Sequence, residues 1–248
     1  MKDDRTSVQS GPLRVAVVGA SEVGKSALTV RYLTKRYIGE YRSDTDMLYK
    51  CVLQVDGAPQ SVEIMDTSAS SDKTSDPNLP WAEAFVVVYS ITDKESYQRA
   101  ATTVQELSER RASASVLLVG NKSDLGHLRE VEEVEARTLA LTHAARFAEL
   151  STAESCTSVS EVVDNFLKEV KAQRNGNQNG GSPKLRKISV TRMLGSLIGR
   201  NSPPPTPVTH LIILDKAERN KLQTPLTRLC RPCLRPAQSL PCSPHTAV

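Results

Sequence analysis

Along the first two thirds of the chain, short continuous apolar runs alternate with stretches in which apolar residues recur every three or four positions. Leu13–Gly19 is continuous and β-branched, the pattern of a strand buried on both faces. A glycine-bounded loop follows, and Lys25–Arg36 then sets Leu28, Tyr32 and Leu33 on one face of a predicted helix. Tyr49–Val55 and Gln60–Met65 flank Asp56-Gly57-Ala58-Pro59, and Asp-Gly between two strand-like runs predicts a hairpin. Ala84–Tyr89 and Val116–Val119 are two more buried-strand runs, separated by an amphipathic helix over Lys94–Arg111. A helix over Val131–Ala145, a short strand at Phe147–Leu150 and a last helix over Val159–Ala172 complete the series. The alternation predicts an α/β fold: a doubly wound, mostly parallel sheet with helices on both faces.

The pattern stops after Arg174. The expected organisation is a flexible N-terminus over 1–12, one domain over 13–174, and a basic, proline-rich tail over 175–248. Asn175–Pro183 reads as a linker by composition. Lys184–Arg200 is basic, with Val190, Met193, Leu194, Leu197 and Ile198 at the spacing of an amphipathic helix. From Ser202 onward, proline and isolated charges predict disorder, apart from the apolar run Leu211–Leu214.

Charge sharpens this division. Residues 1–174 carry 21 Lys/Arg against 26 Asp/Glu, whereas 175–248 carry 11 against 2, so an acidic domain precedes a basic tail. No run approaches the roughly 20 apolar residues of a membrane span, and the start, Met1–Pro12, has no apolar core of a signal peptide. A cytoplasmic protein is expected, whose tail suits peripheral contact with an anionic membrane. Cys51, Cys156, Cys230, Cys233 and Cys242 then read as free thiols. Cys230 and Cys233 lack the second pair or histidines of a zinc site, though beside Arg231 and Arg235 they suit palmitoylation. The tail has no interleaved aromatics to stack bases, so no nucleic acid is expected as a partner.

The first chemical motif is Gly19-Ala20-Ser21-Glu22-Val23-Gly24-Lys25-Ser26, followed by Ala27, which satisfies G-x-x-x-x-G-K-[S/T] between a predicted strand and helix. Glycines let the backbone curl until successive N–H groups face the phosphates, and the helix N-terminus adds positive potential. Lys25 supplies a point charge for the terminal phosphates, and the Ser26 hydroxyl can ligate Mg²⁺. The second motif, Asn121-Lys122-Ser123-Asp124, follows the strand Val116–Val119. A carboxylate at Asp124 can accept from both the ring N–H and the exocyclic amine of guanine, a pair adenine does not offer in that arrangement. The stem of Lys122 can lie along the base. Together the motifs select guanine over adenine nucleotides. Asp66, at the end of the strand that begins near Gln60, is placed to hold the magnesium through water.

On these motifs residues 13–174 resemble the Ras superfamily. Leu28–Tyr41 and Trp81–Asp93 are similar to the branch named for the Ras-related, estrogen-regulated growth inhibitor and its Ras-like relatives. The resemblance implies a monomeric signalling switch that binds GTP and GDP with Mg²⁺, engages protein effectors, and meets exchange or activating proteins. It places Ser151, Thr152 and Ala153 behind the guanine. It also exposes departures. An ungapped alignment puts Asp44 where the family has a metal-binding threonine, with Thr45 one residue later to take over that role. Where the family reads Asp-Thr-Ala-Gly-Gln, this chain reads Asp66-Thr67-Ser68-Ala69-Ser70. Ala69 replaces the glycine that meets the γ-phosphate. Ser70 replaces the water-positioning glutamine and is too short for that task, so no catalytic residue is assigned. Ser21 and Glu22 stand where glycine is common, Ser21 as an obstacle to an incoming arginine finger. Two readings follow: a switch that hydrolyses GTP slowly, or a catalytically weak, nucleotide-loaded interaction module.

Overall fold

The computed structural model describes residues 11–38, 46–68, 81–178 and 211–214. Among these, seven strands form one sheet: β1 (Leu13–Gly19), β2 (Met47–Val55), β3 (Ala58–Asp66), β4 (Ala84–Ser90), β5 (Ser115–Asn121), β6 (Arg146–Glu149) and β7 (Leu211–Leu214). Four helices accompany them: α1 (Lys25–Thr34), α2 (Lys94–Arg110), α3 (Glu133–Thr142) and α4 (Cys156–Gln178). The strand order is β6-β5-β4-β1-β3-β2-β7. β1 is parallel to both β3 and β4, and β4, β5 and β6 continue in parallel. Only β2 and β7 run antiparallel to their neighbours. The expected doubly wound α/β fold is the one observed.

The strand faces explain the layering. Val15, Val17, Ile64, Val86 and Val119 point to one side, where α1 supplies Leu28, Tyr32 and Leu33 and α4 supplies Val159, Val163, Phe166 and Leu167. Ala16, Val18, Phe85, Val87 and Leu118 alternate with them toward Tyr97, Ala100 and Val104 of α2 and Ala136 and Ala140 of α3. β4 is buried along its whole length, which is why its sequence is continuously apolar rather than alternating. Trp81 packs beside this second cluster, the packing role its position before β4 suggests.

Local signals set the ends of elements. Asp56 and Gly57 both take positive φ (55° and 73°) between the paired Val55 and Ala58, as a two-residue hairpin turn requires. Asp93 caps α2 by accepting from the Ser96 N–H at 3.0 Å.

Three sequence expectations need correction. The linker does not begin at Asn175, because α4 continues through Gln178; backbone bonding from the preceding helix outlasts the glycine and asparagine content. The tail is not wholly separate from the domain either. Leu211–Leu214 joins the sheet as β7, pairing with Leu48–Cys51 of β2. α3 is shorter than Val131–Ala145 implied, since the Val131 N–H bonds to the Ile91 carbonyl before the helix starts. The expected helix 184–200, the cysteines of the tail, Asp44, Thr45, Ala69 and Ser70 lie outside the described residues.

Candidate functional site

At the carboxyl ends of β1 and β5, where a doubly wound sheet leaves its crevice, lies a cleft of about 540 Å³. Ser21, Glu22, Gly24, Lys25, Ser26 and Ala27 line one wall, and Asn121, Lys122, Asp124, Leu125, Thr152 and Ala153 line the other. The two motifs that sequence spacing linked are thus brought together, 97 positions apart in the chain from Gly24 to Asn121.

The first wall is a matter of backbone conformation. Gly19, Glu22 and Gly24 take φ of 146°, 62° and 98°, so the chain between β1 and α1 folds back on itself. A Cβ at Gly19 would lie 2.2 Å from the Val88 carbonyl oxygen, and one at Gly24 would lie 2.2 Å from Asn121 Nδ2. Gly24 is also the cap of α1, whose first-turn amides and positive end face the cleft. Val23 is fully buried and anchors the loop to the core. Lys25 is buried, and its ammonium donates to the carbonyls of Gly19 at 2.9 Å and Ala20 at 2.6 Å. Burial lowers its pKa, with the charge of Asp66 opposing the shift.

Asp66 ends β3 on the floor of this wall. One carboxylate oxygen, Oδ1, is buried with no hydrogen-bond partner. Desolvation pushes the carboxyl up to about 6, against the Ser26 hydroxyl that bonds to it and the charge of Lys25; Asp46 adds to the rise. A buried, under-bonded carboxylate beside a serine hydroxyl and a phosphate-facing loop is a donor set suited to a hard cation such as Mg²⁺. The neighbouring strand ends are clasped together. Asp46 Oδ1 accepts from both the N–H (2.8 Å) and the hydroxyl (2.9 Å) of Ser68. Thr67 donates to the Val17 carbonyl through its N–H at 3.2 Å and its hydroxyl at 2.9 Å.

Side chains shape the second wall. Asn121 is buried; its Nδ2 donates to the Val23 carbonyl at 2.8 Å and its Oδ1 accepts from the Thr152 N–H at 3.1 Å. It therefore fastens the phosphate-side loop to the loop after β6, and its carboxamide faces protein on both sides. Lys122 sits in the left-handed region (φ 66°), which turns the chain into the 3₁₀ segment Ser123–Leu128 and presents Asp124 at the exposed rim. The Ser123 N–H donates to the Leu150 carbonyl at 3.2 Å, and Ser151 Oγ accepts from Ala153 and Glu154, each at 3.2 Å. Behind them Arg129 makes a two-pronged ion pair with Glu149.

Of the sequence-derived site residues, Gly19, Ala20, Ser21, Glu22, Val23, Gly24, Lys25, Ser26 and Ala27 form one loop and helix start, with Asp66 beside Ser26. Asn121, Lys122, Asp124, Ser151, Thr152 and Ala153 form the opposite loops. Thr45 and Ser70 lie outside the described residues. Sequence reasoning missed Tyr37 and Leu125, both in the lining. Tyr37 follows α1 with its ring 5.9 Å from the Arg31 guanidinium. An exposed aromatic after a helix was the available signal for it.

Comparison with known proteins agrees with this geometry. Residues 14–172 match the family model described as Ras family. The chain is 37% identical over 203 residues to Ras-like protein family member 11A of Rattus norvegicus, covering 77% of this chain and 79% of that one. It is 37% identical over 168 residues to the Ras-related and estrogen-regulated growth inhibitor-like protein of Bos taurus, covering 64% and 82%. With the Ras-related and estrogen-regulated growth inhibitor of Homo sapiens it shares 35% over 169 residues, covering 67% and 85%.

Proposed function

The chain belongs to the Ras family, and on that premise we propose that it is a guanine-nucleotide switch that hydrolyses GTP slowly. Family membership makes it a GTP-binding protein of the signalling GTPase kind. The nucleotide-binding part of the reading is carried by one observation above all: Asn121, at the start of the Asp124 loop, bonds to both the phosphate-side loop and the Thr152 loop. Amides of residues 20–26 and the ammonium of Lys25 bind the phosphates, Lys25 leaving its two carbonyl partners to do so. Asp124 reads the guanine edge, Lys122 lies along the base, and Ser151–Ala153 close its far side. Ser26 and Asp66 hold Mg²⁺, which when bound neutralises phosphate charge. The Asp66 oxygen that has no protein partner supports this assignment.

Slow hydrolysis follows from chemistry at two positions. Ala69 and Ser70 stand where a γ-phosphate-sensing glycine and a water-orienting glutamine would act, and a serine hydroxyl does not reach a water that far away. The nucleotide state would then alter the loops that leave α1 and β3, and with them the affinity for effector proteins. We place the protein in the cytosol, with the basic segment 184–200 touching anionic membrane surfaces.

Single-turnover hydrolysis of bound GTP is the test, run on the full chain and on the double variant Ala69→Gly/Ser70→Gln. The expected result is slow turnover that rises at least about tenfold in the variant. Wild-type turnover already in the range of about 5–20 s⁻¹, typical of a GTPase stimulated by its activating protein, would overturn it.

A further inference from the structure

The carboxyl end of β3 is tied down more firmly than strand pairing requires. The antiparallel ladder of β2 and β3 stops at Met47↔Asp66. Beyond that pair the chain leads to residues 39–45 on one side and 69–80 on the other. Thr67 turns toward β1, where its N–H and its hydroxyl both donate to the Val17 carbonyl. Ser68 turns toward β2 instead, where its N–H and its hydroxyl both donate to Asp46 Oδ1, at 2.8 and 2.9 Å. A side-chain carboxylate thus serves as acceptor where the backbone ladder has ended.

The setting makes this contact strong. Asp46 and Ser68 are only 6% and 8% exposed, and two hydrogen bonds to one carboxylate oxygen are charge-assisted, each stronger than a bond between neutral groups. The hydroxyl is also a departure of this chain, because Ser68 stands where the Ras-type sequence Asp-Thr-Ala-Gly-Gln has an alanine. Alanine at that position has no hydroxyl to give. Asp46 moreover faces Asp66 closely enough for its charge to raise the Asp66 pKa. Two carboxylates placed together out of water repel each other, and a hard divalent cation is the partner that relieves the repulsion. Asp66 is already prepared for one, with Oδ1 buried and unbonded and the Ser26 hydroxyl bonded to the same carboxylate.

We propose that Asp46 and Ser68 form a positioning latch for the Mg²⁺-binding carboxylate, fixing the end of β3 so that Asp66 stays beside Ser26 and adding the negative charge that favours a dication there. The inference rests on the reading that Ser26 and Asp66 hold Mg²⁺. Both latch residues act through Asp66: Ser68 by geometry, Asp46 by geometry and charge. Groups of this kind, one bond removed from a metal ligand, are commonly worth a factor of about 10–100 in metal affinity. Latch and metal are linked, so whatever stabilises one stabilises the other. Loss of the latch therefore raises the Mg²⁺ concentration needed to retain nucleotide, and leaves the metal-free cleft as it was.

The test is release of a fluorescent GDP analogue from the full chain, followed across a Mg²⁺ titration and again in excess EDTA. Wild type is compared with Ser68→Ala, which removes the hydroxyl, and Asp46→Asn, which removes the charge and keeps an acceptor oxygen. In each variant the Mg²⁺ concentration giving half-maximal retention should rise at least about tenfold, while release in EDTA stays at the wild-type rate. An unchanged Mg²⁺ requirement in either variant would overturn the latch. So would release that quickens equally with and without Mg²⁺, since the contact would then merely prop the cleft. Wild-type release that is itself indifferent to Mg²⁺ would remove the metal site at Ser26 and Asp66, and the latch with it.

Discussion

In the phosphate-side wall of the cleft the main chain does the shaping, with Gly19, Glu22 and Gly24 all at positive φ. Across the cleft the base-side wall is shaped by side chains, through the carboxamide of Asn121, the hydroxyl of Ser151 and the Arg129–Glu149 pair. The difference follows from the groups each wall is suited to meet. A phosphate is nearly isotropic and strongly charged, so a curl of N–H groups suffices and any Cβ in the wrong place blocks it. A purine edge is flat and directional, so its reader must be held at one angle by bonded neighbours. One wall should fail abruptly on substitution and the other by degrees.

The largest effect is expected at Gly24. Alanine there adds about 1–2 kcal/mol of left-handed backbone strain and drives Asn121 away, because the new Cβ falls 2.2 Å from its Nδ2. Gly24→Ala should weaken GDP and GTP binding together by about a thousandfold, measured by displacement of a fluorescent nucleotide. A loss under tenfold would show that the wall adapts, and would dissolve the contrast between the two.

Next comes Asn121, which lies in one wall and bonds to the other. Asn121→Ala leaves the Val23 carbonyl and the Thr152 N–H buried without partners. Each orphan costs about 1–3 kcal/mol. Thermal unfolding should begin several degrees earlier, and affinity for GDP should drop about a hundredfold. A variant with normal unfolding but lost affinity would mean that the carboxamide meets the nucleotide rather than the protein.

That ambiguity marks a limit of reading the chain by pattern. β1, its loop and the start of α1 were legible because buried strand, glycine pair, lysine and helix are consecutive and each constrains the next. Asn121 was legible only as part of a tetrapeptide. A carboxamide has donors and acceptors for either a ligand or two backbones, and nothing local chooses between them. The end of α4 was misjudged because Asn175 and Gly176 resemble a linker, while helical bonding carries on to Gln178. β7 escaped as a strand because four apolar residues show no period and its partner lies more than 150 positions away. Leu48–Cys51 gave no hint that its far side was covered.

A smaller and more selective effect is expected at Asp124, whose proposed role is to meet the base alone. Its carboxylate can accept from the ring N–H and the exocyclic amine of guanine, and inosine nucleotides lack the amine. The wild type should prefer GDP to IDP by about tenfold, the worth of one hydrogen bond to a charged group. In Asp124→Ala this preference should vanish, with thermal stability unchanged because the residue is exposed. Retained discrimination would remove Asp124 as the reader and move that role to the backbone of Thr152 and Ala153.

The smallest effect tests whether the base-side wall does degrade by degrees. Arg129 does not line the cleft; it bridges Glu149 and the Val131 carbonyl from behind. Hydrogen bonding to Glu149 raises its pKa, so the guanidinium keeps its charge. The two side chains are 23% and 14% exposed, enough burial to resist screening but not enough for a large desolvation penalty. Arg129→Met should therefore lower stability by about 1–2 kcal/mol. Affinity for GDP should fall only a few fold, because Asn121 and Ser151 still hold the wall. The tenfold preference for GDP over IDP should survive. If it disappears instead, the angle of Asp124 depends on a salt bridge outside the cleft, and the base-side wall is as brittle as the phosphate side.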